Sequence, residues 1–172
     1  SGCPDGFQYM HPTMRKNFGQ WKSHEHPRPG VLLHVAHSGD EIWTVKAGTQ
    51  RILDVYSLRT LMDIGDKFAD GYIRFTLRSN IEYMVTKEAQ VEPLIKALED
   101  AGFIVGGTAN SVAMMSHTQG WLHCDIPGTD ASGVVKAMMD ELIDEFKQCN
   151  MPNRVHITTS CCQINCGGQG DI

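Results

Sequence analysis

The stretch Gly71–Gly102, GYIRFTLRSNIEYMVTKEAQVEPLIKALEDAG, decides the fold class. Tyr72 to Arg78 alternates, with Ile73, Phe75 and Leu77 on one face, as a half-buried strand does. Asn80 to Val85 alternates again and aligns Ile81, Tyr83 and Val85. The period then changes to a helical one. Thr86 opens the helix, Val91, Leu94, Ile95 and Leu98 recur along one side, and Gly102 supplies a stop. Upstream, Gly30–Ala36 and Glu41–Lys46 read as two strands joined by the turn Ser38-Gly39-Asp40, and Ser57 caps a helix with Leu58, Leu61, Met62 and Phe68 on one side. Two strands, a helix, two strands and a helix predict an α+β fold, a ferredoxin-like α/β sandwich. Residues 1–29 hold Pro4, Pro12, Pro27 and Pro29 without a sustained period, which predicts an extended N-terminal arm.

Downstream, Gly106, Gly107 and Asn110 mark a loop, and residues 113–124 read as extended. Thr129 or Asp130 caps the clearest helix, running to about Cys149, with Val134, Val135, Met138, Met139, Leu142, Ile143 and Phe146 as a wide apolar stripe. Pro152 lies beyond its end, and Arg154 to Ser160 alternates as a strand leading into a group of cysteines. The whole is 172 residues, about one domain in length. Hydrophobic residues make up 41%, which rules out a disordered chain. Fifteen Lys and Arg against 20 Asp and Glu leave a charge of −5, which argues against a general nucleic-acid binder. No apolar run approaches the roughly 18 residues of a membrane span, and no signal-peptide core is visible, so the reading is a cytoplasmic protein.

Three of six cysteines lie close together, as Cys161-Cys162-Gln163-Ile164-Asn165-Cys166. A thiol cluster in a reducing compartment points to metal or iron–sulfur ligation. Cys162 and Cys166 are four apart, one helical turn, and Cys124 can supply a fourth thiolate if the strand–helix–strand connection returns the chain to it. Zinc, which favours paired Cys-x₂₋₄-Cys elements, and incidental buried thiols remain as alternatives. Cys149, near a helix end, reads as structural. Arg74 and Arg78 project to one face of their strand, opposite Phe75 and Leu77, and can form a cradle for an anion or carboxylate; a solvated polar face is the plain alternative. His117 and His123 flank Trp121 near Cys124, whereas His24-Glu25-His26 and His34-x-x-His37 read as surface or packing residues. Gly167-Gly168-Gln169-Gly170 lacks the Lys-Ser/Thr of a phosphate loop and suits close backbone approach to a cluster or flat cofactor.

The run His117-Thr118-Gln119-Gly120-Trp121-Leu122-His123-Cys124, continued by Thr129-Asp130-Ala131-Ser132-Gly133, resembles the dissimilatory sulfite reductase beta-subunit family, within the nitrite/sulfite reductase superfamily. So do Cys161-Cys162-x₃-Cys166-Gly167, Lys16-Asn17-Phe18-Gly19, Pro29-Gly30-Val31-Leu32 and Arg74-Phe75-Thr76. The resemblance implies a ferredoxin-like half-domain over residues 30–112 and the beginning of a sirohaem- and [4Fe–4S]-binding domain over 113–172. It implies Cys124, Cys161, Cys162 and Cys166 as cluster ligands, with the Cys166 sulfur bridging cluster and sirohaem iron. Arg74 and Arg78 match the strand that faces sirohaem carboxylates and the bound anion, with Leu77 where a Thr is common. His117, Thr118 and Gln119 match the cofactor pocket more weakly. The implied reaction is multi-electron reduction of sulfite toward sulfide, or its reverse in sulfur oxidisers. The implied partners are an alpha subunit in an alpha2beta2 heterotetramer and a small sulfur-carrier protein.

The family's beta subunit continues past the position of Ile172, so the expectation is a truncated chain that is inactive and cofactor-free alone. Two other readings stand beside it: a non-catalytic module for assembly with the alpha subunit, and a stand-alone iron–sulfur electron carrier.

Overall fold

The computed structural model describes residues 6–50 and 52–166. After a 3-10 turn at Gly6–Tyr9 come α1 (Pro12–Lys16), β1 (Trp21–Arg28), β2 (Val31–Ala36), β3 (Glu41–Gly48), α2 (Val55–Phe68), β4 (Ile73–Phe75), β5 (Asn80–Val85), α3 (Val91–Asp100) and β6 (Ile104–Val105). Then follow β7 (Val112–His117), α4 (Ala131–Glu141), α5 (Ile143–Lys147) and β8 (Val155–Thr159). The larger sheet is antiparallel, in the order β1-β2-β3-β5-β4, and β6 pairs with the C-terminal end of β3 through Ala47↔Val105 and Gly48↔Ile104. The run β3-α2-β4-β5-α3-β6 is therefore a βαββαβ unit in the spatial order β6-β3-β5-β4, the ferredoxin-like arrangement.

The expected class is correct, but its strands are assigned differently. The first strand of the unit is β3, the last is the two-residue β6 inside what the sequence presents as a loop, and β1 and β2 are an added hairpin. The stretch expected to be an extended arm ends in β1, which pairs with β2 from Trp21↔Ala36 to Arg28↔Val31. Its irregular pattern reflects two register shifts and a mostly exposed edge position.

Helices α2 and α3 cover one face of the sheet. Leu61, Ile64, Leu94 and Leu98 meet Val45, Ile81, Tyr83 and Val85 there. Asp54, not Ser57, caps α2: its Oδ1 accepts from Ser57 N at 2.8 Å. Met62, expected on the apolar side, faces outward at 52% exposure. The strand expected to run to Arg78 stops at Phe75, because Thr76 N donates to Asn80 O and closes a turn that contains Ser79 at φ +56°. Phe75 and Leu77 are consequently exposed, Leu77 almost completely at 92%, and are not core residues.

The second region is a parallel β7–β8 pair joined through α4 and α5. Asp130 is the cap, accepting from Gly133 N at 3.1 Å and from Ser132 Oγ at 2.8 Å. The single long helix expected here is interrupted at Leu142, and only Ala131, Val135 and Phe146 are buried along it. Phe146 fills a space bounded by Gly48, Gly106 and Gly107: a Cβ on Gly106 would lie 2.3 Å from Phe146 O, and one on Gly107 2.6 Å from the ring. Gly107 N donates to Phe146 O at 2.7 Å, so the glycine pair that looks like a flexible loop is the packed joint between the regions.

Candidate cofactor site

The parallel strands β7 and β8 carry Thr118 and Cys161 just past their C-terminal ends. Thr118 N donates to Thr159 O at 3.1 Å, and Thr118 Oγ1 accepts from Cys161 N at 2.8 Å. Cys161 O accepts from Gly128 N at 2.9 Å and from Thr129 N at 3.0 Å, which ties the thiol segment to the start of α4. Gly128 suits this close approach, since a Cβ on it would sit 3.0 Å from Cys161 O, tighter than ordinary contact. Cys124 is held against the same place by its N–H to Gly120 O at 3.1 Å.

The thiols meet. Hydrogen bonding from the Thr118 hydroxyl, then the Gly120 N–H, then the Cys162 and Cys124 thiols holds the buried Cys161 thiol below its usual range. Cys162 is half-buried, and Cys166 is exposed beyond the turn in which Asn165 N donates to Cys162 O. All four are free thiols, and a low-lying thiol supported by polar neighbours is the donor chemistry that iron or zinc requires. Among the described residues no three of His, Cys, Asp or Glu already stand in metal-holding geometry. His117 lies beside this group, with Nδ1 2.6 Å from Thr118 O; Gln119 and His123 are exposed. Cys149 is elsewhere, its Sγ donating to Thr108 O at 3.2 Å. The glycine run 167–170 and Cys3 lie outside the described residues.

The other candidate lies on the sheet face turned away from α2 and α3. Arg74 on β4 stands opposite Glu82 on β5, and Glu82 stands opposite Lys46 on β3. Glu82 Oε2 accepts from Arg74 Nε at 3.0 Å and from Arg74 Nη2. Lys46 is fully buried, its Nζ donating to Gly107 O at 2.6 Å and Ala113 O at 3.3 Å. Burial, followed by the charge of Arg78, draws its ammonium down to about 8. His34 bonds Thr44 Oγ1 at 3.1 Å and lies with its Nδ1 2.6 Å from His24 Nδ1. Burial, with His24 beside it, lowers the His34 imidazole to about 4. His156 on β8 is lowered by burial and then by Arg78 and Arg154.

Arg74 and Arg78 thus both act on this one basic face, although Arg78 sits in the turn and not on the strand. Lys46 and Glu82 lie on this face, His34 joins it through Thr44, and Arg154 and His156 lie within electrostatic reach; the sequence presents His34 as a surface or packing residue and does not mark the others. The available signal was a lysine and a glutamate at the centres of strands whose neighbours are apolar. The basic face meets β7 near Ala113, while the thiols lie past His117, so about 15 Å of strand separates them.

Comparison with known proteins shows what this arrangement resembles. The profile of the nitrite/sulfite reductase ferredoxin-like half domain matches residues 34–101. A dissimilatory-type sulfite reductase subunit beta from Archaeoglobus fulgidus is 46% identical over 96% of this chain and 47% of its own length. The chain is similar to dissimilatory sulfite reductase beta subunits along nearly its whole length. Subunits of the same description from Nitratidesulfovibrio vulgaris and Megalodesulfovibrio gigas are 44% and 41% identical over 93% of this chain, covering 44% and 64% of theirs. The chain spans about half the length of the first two of these relatives. Among solved structures, dissimilatory sulfite reductase I superposes with a TM-score of 0.78 at 15% identity, over 95% of this chain and 44% of that one. The NirA protein of Mycobacterium tuberculosis gives 0.61 at 15%, over 93% and 31%. These two share the fold. Among the described residues no helix is long and apolar enough to cross a membrane.

Proposed function

We propose that this chain is the part of a dissimilatory sulfite reductase beta subunit that supplies cluster thiolates at one place and a basic, carboxylate-receiving face at another. The observation that supports the reading is the approach of Cys124 to the Cys161-Cys162 segment, which the Thr118 hydroxyl anchors through the Cys161 N–H, across 37 residues of chain. In this reading Cys124, Cys161, Cys162 and Cys166 hold a [4Fe–4S] cluster. Thr118 fixes the Cys161 backbone, and His117 and Gln119 border the pocket. Arg74 and Arg78, with Lys46 and Arg154 behind them, receive sirohaem carboxylates and stabilise oxyanion charge.

When bound, the sirohaem–cluster pair would relay electrons between an external redox partner and the sulfur-binding iron, for converting sulfite to sulfide or the reverse. The protein's own part is to orient that pair, to lower the Cys161 thiol by hydrogen bonding, and to present N–H groups to anionic oxygen. The natural partner is an alpha subunit in an alpha2beta2 assembly, with a small sulfur-carrier protein at the site. The free thiols suit the reducing cytoplasm.

The test is made in the full-length subunit, produced anaerobically with its companion. Cys124→Ser should lose cluster iron, whereas Cys149→Ser should keep it along with the sirohaem and cluster absorption bands. Full iron content in Cys124→Ser removes Cys124 from the ligand set.

A further inference from the structure

We propose that Glu82 is a positioning residue: it grips the inner edge of the Arg74 guanidinium and so aims the outer N–H groups at an anionic oxygen. The proposal rests on the reading of the basic face given above and adds to it the group that sets its geometry.

Glu82 lies in the middle of β5 and is 6% exposed, while the Arg74 side chain is 53% exposed. One carboxylate oxygen, Oε2, accepts from both Nε and Nη2. A guanidinium has five N–H groups in a fixed plane. Two are taken by Glu82, and the three that remain, two on Nη1 and one on Nη2, are directed away from it. The side chain is thereby pinned at its inner edge and open at its outer edge, the arrangement that allows a bidentate contact with carboxylate or oxyanion.

Glu82 has one other cation across the ladder, Lys46, but its Nζ is engaged by the Gly107 and Ala113 carbonyls. Arg78, Arg154 and the imidazole of His34 also surround this face. A buried carboxylate among so many basic groups could serve only to balance charge. The two bonds to a single guanidinium distinguish it: balance needs no direction, and this contact has one.

The experiment uses the full-length, sirohaem-loaded complex with Arg74→Ala, Glu82→Gln, Glu82→Asp and the double variant Arg74→Ala/Glu82→Gln. Two arms identify the source of the anionic oxygen. One measures sirohaem retained after gel filtration, for carboxylates of the cofactor; the other titrates inorganic sulfite. Glu82→Gln should weaken the same arm as Arg74→Ala, by about tenfold, the loss of one charge-assisted hydrogen bond. The double variant should be no weaker than Arg74→Ala alone, and Glu82→Asp should recover most of the loss.

Additive losses, or an unaffected Glu82→Gln beside a weakened Arg74→Ala, overturn the positioning role and leave the basic-face reading intact. An Arg74→Ala complex that binds in both arms as before overturns both. Should Glu82→Gln fail to assemble, Arg74→Lys asks the same question, since it keeps the charge but has no Nε–H edge for Glu82. Wild-type binding in both arms by that variant overturns the proposal.

Discussion

Lys46→Met tests the joint between the ferredoxin-like sheet and the β7–β8 region. The buried ammonium has two carbonyl partners, and two opposed effects follow from its removal. Losing the donors leaves Gly107 O and Ala113 O without that partner, at about 1–3 kcal/mol each. Losing the charge relieves its desolvation; the drop from 10.5 to about 8 corresponds to about 3.4 kcal/mol. These nearly cancel at pH 7, so stability at one pH does not discriminate. The pH dependence does. Between the folded value of about 8 and the unfolded 10.5, the unfolded chain binds more protons. Stability therefore rises with pH in this window: the gain is absent below 8 and complete above 10.5. Wild type should gain about 2.5 kcal/mol on Lys46→Met between pH 7 and pH 10. Urea unfolding of both proteins at pH 7, 8, 9 and 10 measures the difference. A difference that stays flat to within about 0.5 kcal/mol would show that Lys46 is not held in this buried, charged state.

Two further outcomes follow from the packing. Phe146→Ala should cost about 3–5 kcal/mol in urea unfolding, because the surrounding glycines have no side chains with which to refill the space; a loss under about 1 kcal/mol would mean that the ring is not the joint. Thr118→Val keeps the volume but leaves the Cys161 N–H unpaired in a buried place, so it should cost about 1–3 kcal/mol and also reduce cluster iron in the full-length complex. Unchanged stability together with unchanged iron would remove Thr118 from the site.

Local pattern made much of the fold legible. The change of period after Val85 locates β5 and α3, and the strand alternation of Arg154–Ser160 locates β8. What pattern misses is set by tertiary pairing. β6 is two residues long and exists only because β3 has an open edge beside it. β1 is an edge strand with two register shifts, so its alternation is not sustained. Phe75 and Leu77 alternate correctly with Arg74 and Thr76, yet the hairpin closes at Thr76 and leaves them outside.

The same distinction governs the site. The thiols were legible because cysteine spacing is itself a chemical signal, and β7 and β8, parallel neighbours, bring Thr118 and Cys161 together at one end. The basic face was only half legible. Arg74 and Arg78 advertise themselves by charge, but a lysine or glutamate inside a strand reads equally well as solvent-facing. Lys46 and Glu82 lie on the side of the sheet that α2 and α3 leave uncovered. Lys46 is buried there by the loop at Gly107 and the start of β7, more than sixty residues away in sequence. Only that long-range cover turns an ordinary polar stripe into a low-dielectric setting where one carboxylate can fix a guanidinium. The partnership that gives Arg74 its direction is thus a property of the assembled sheet and not of the Arg-x-Thr-x-Arg position that first draws attention to it.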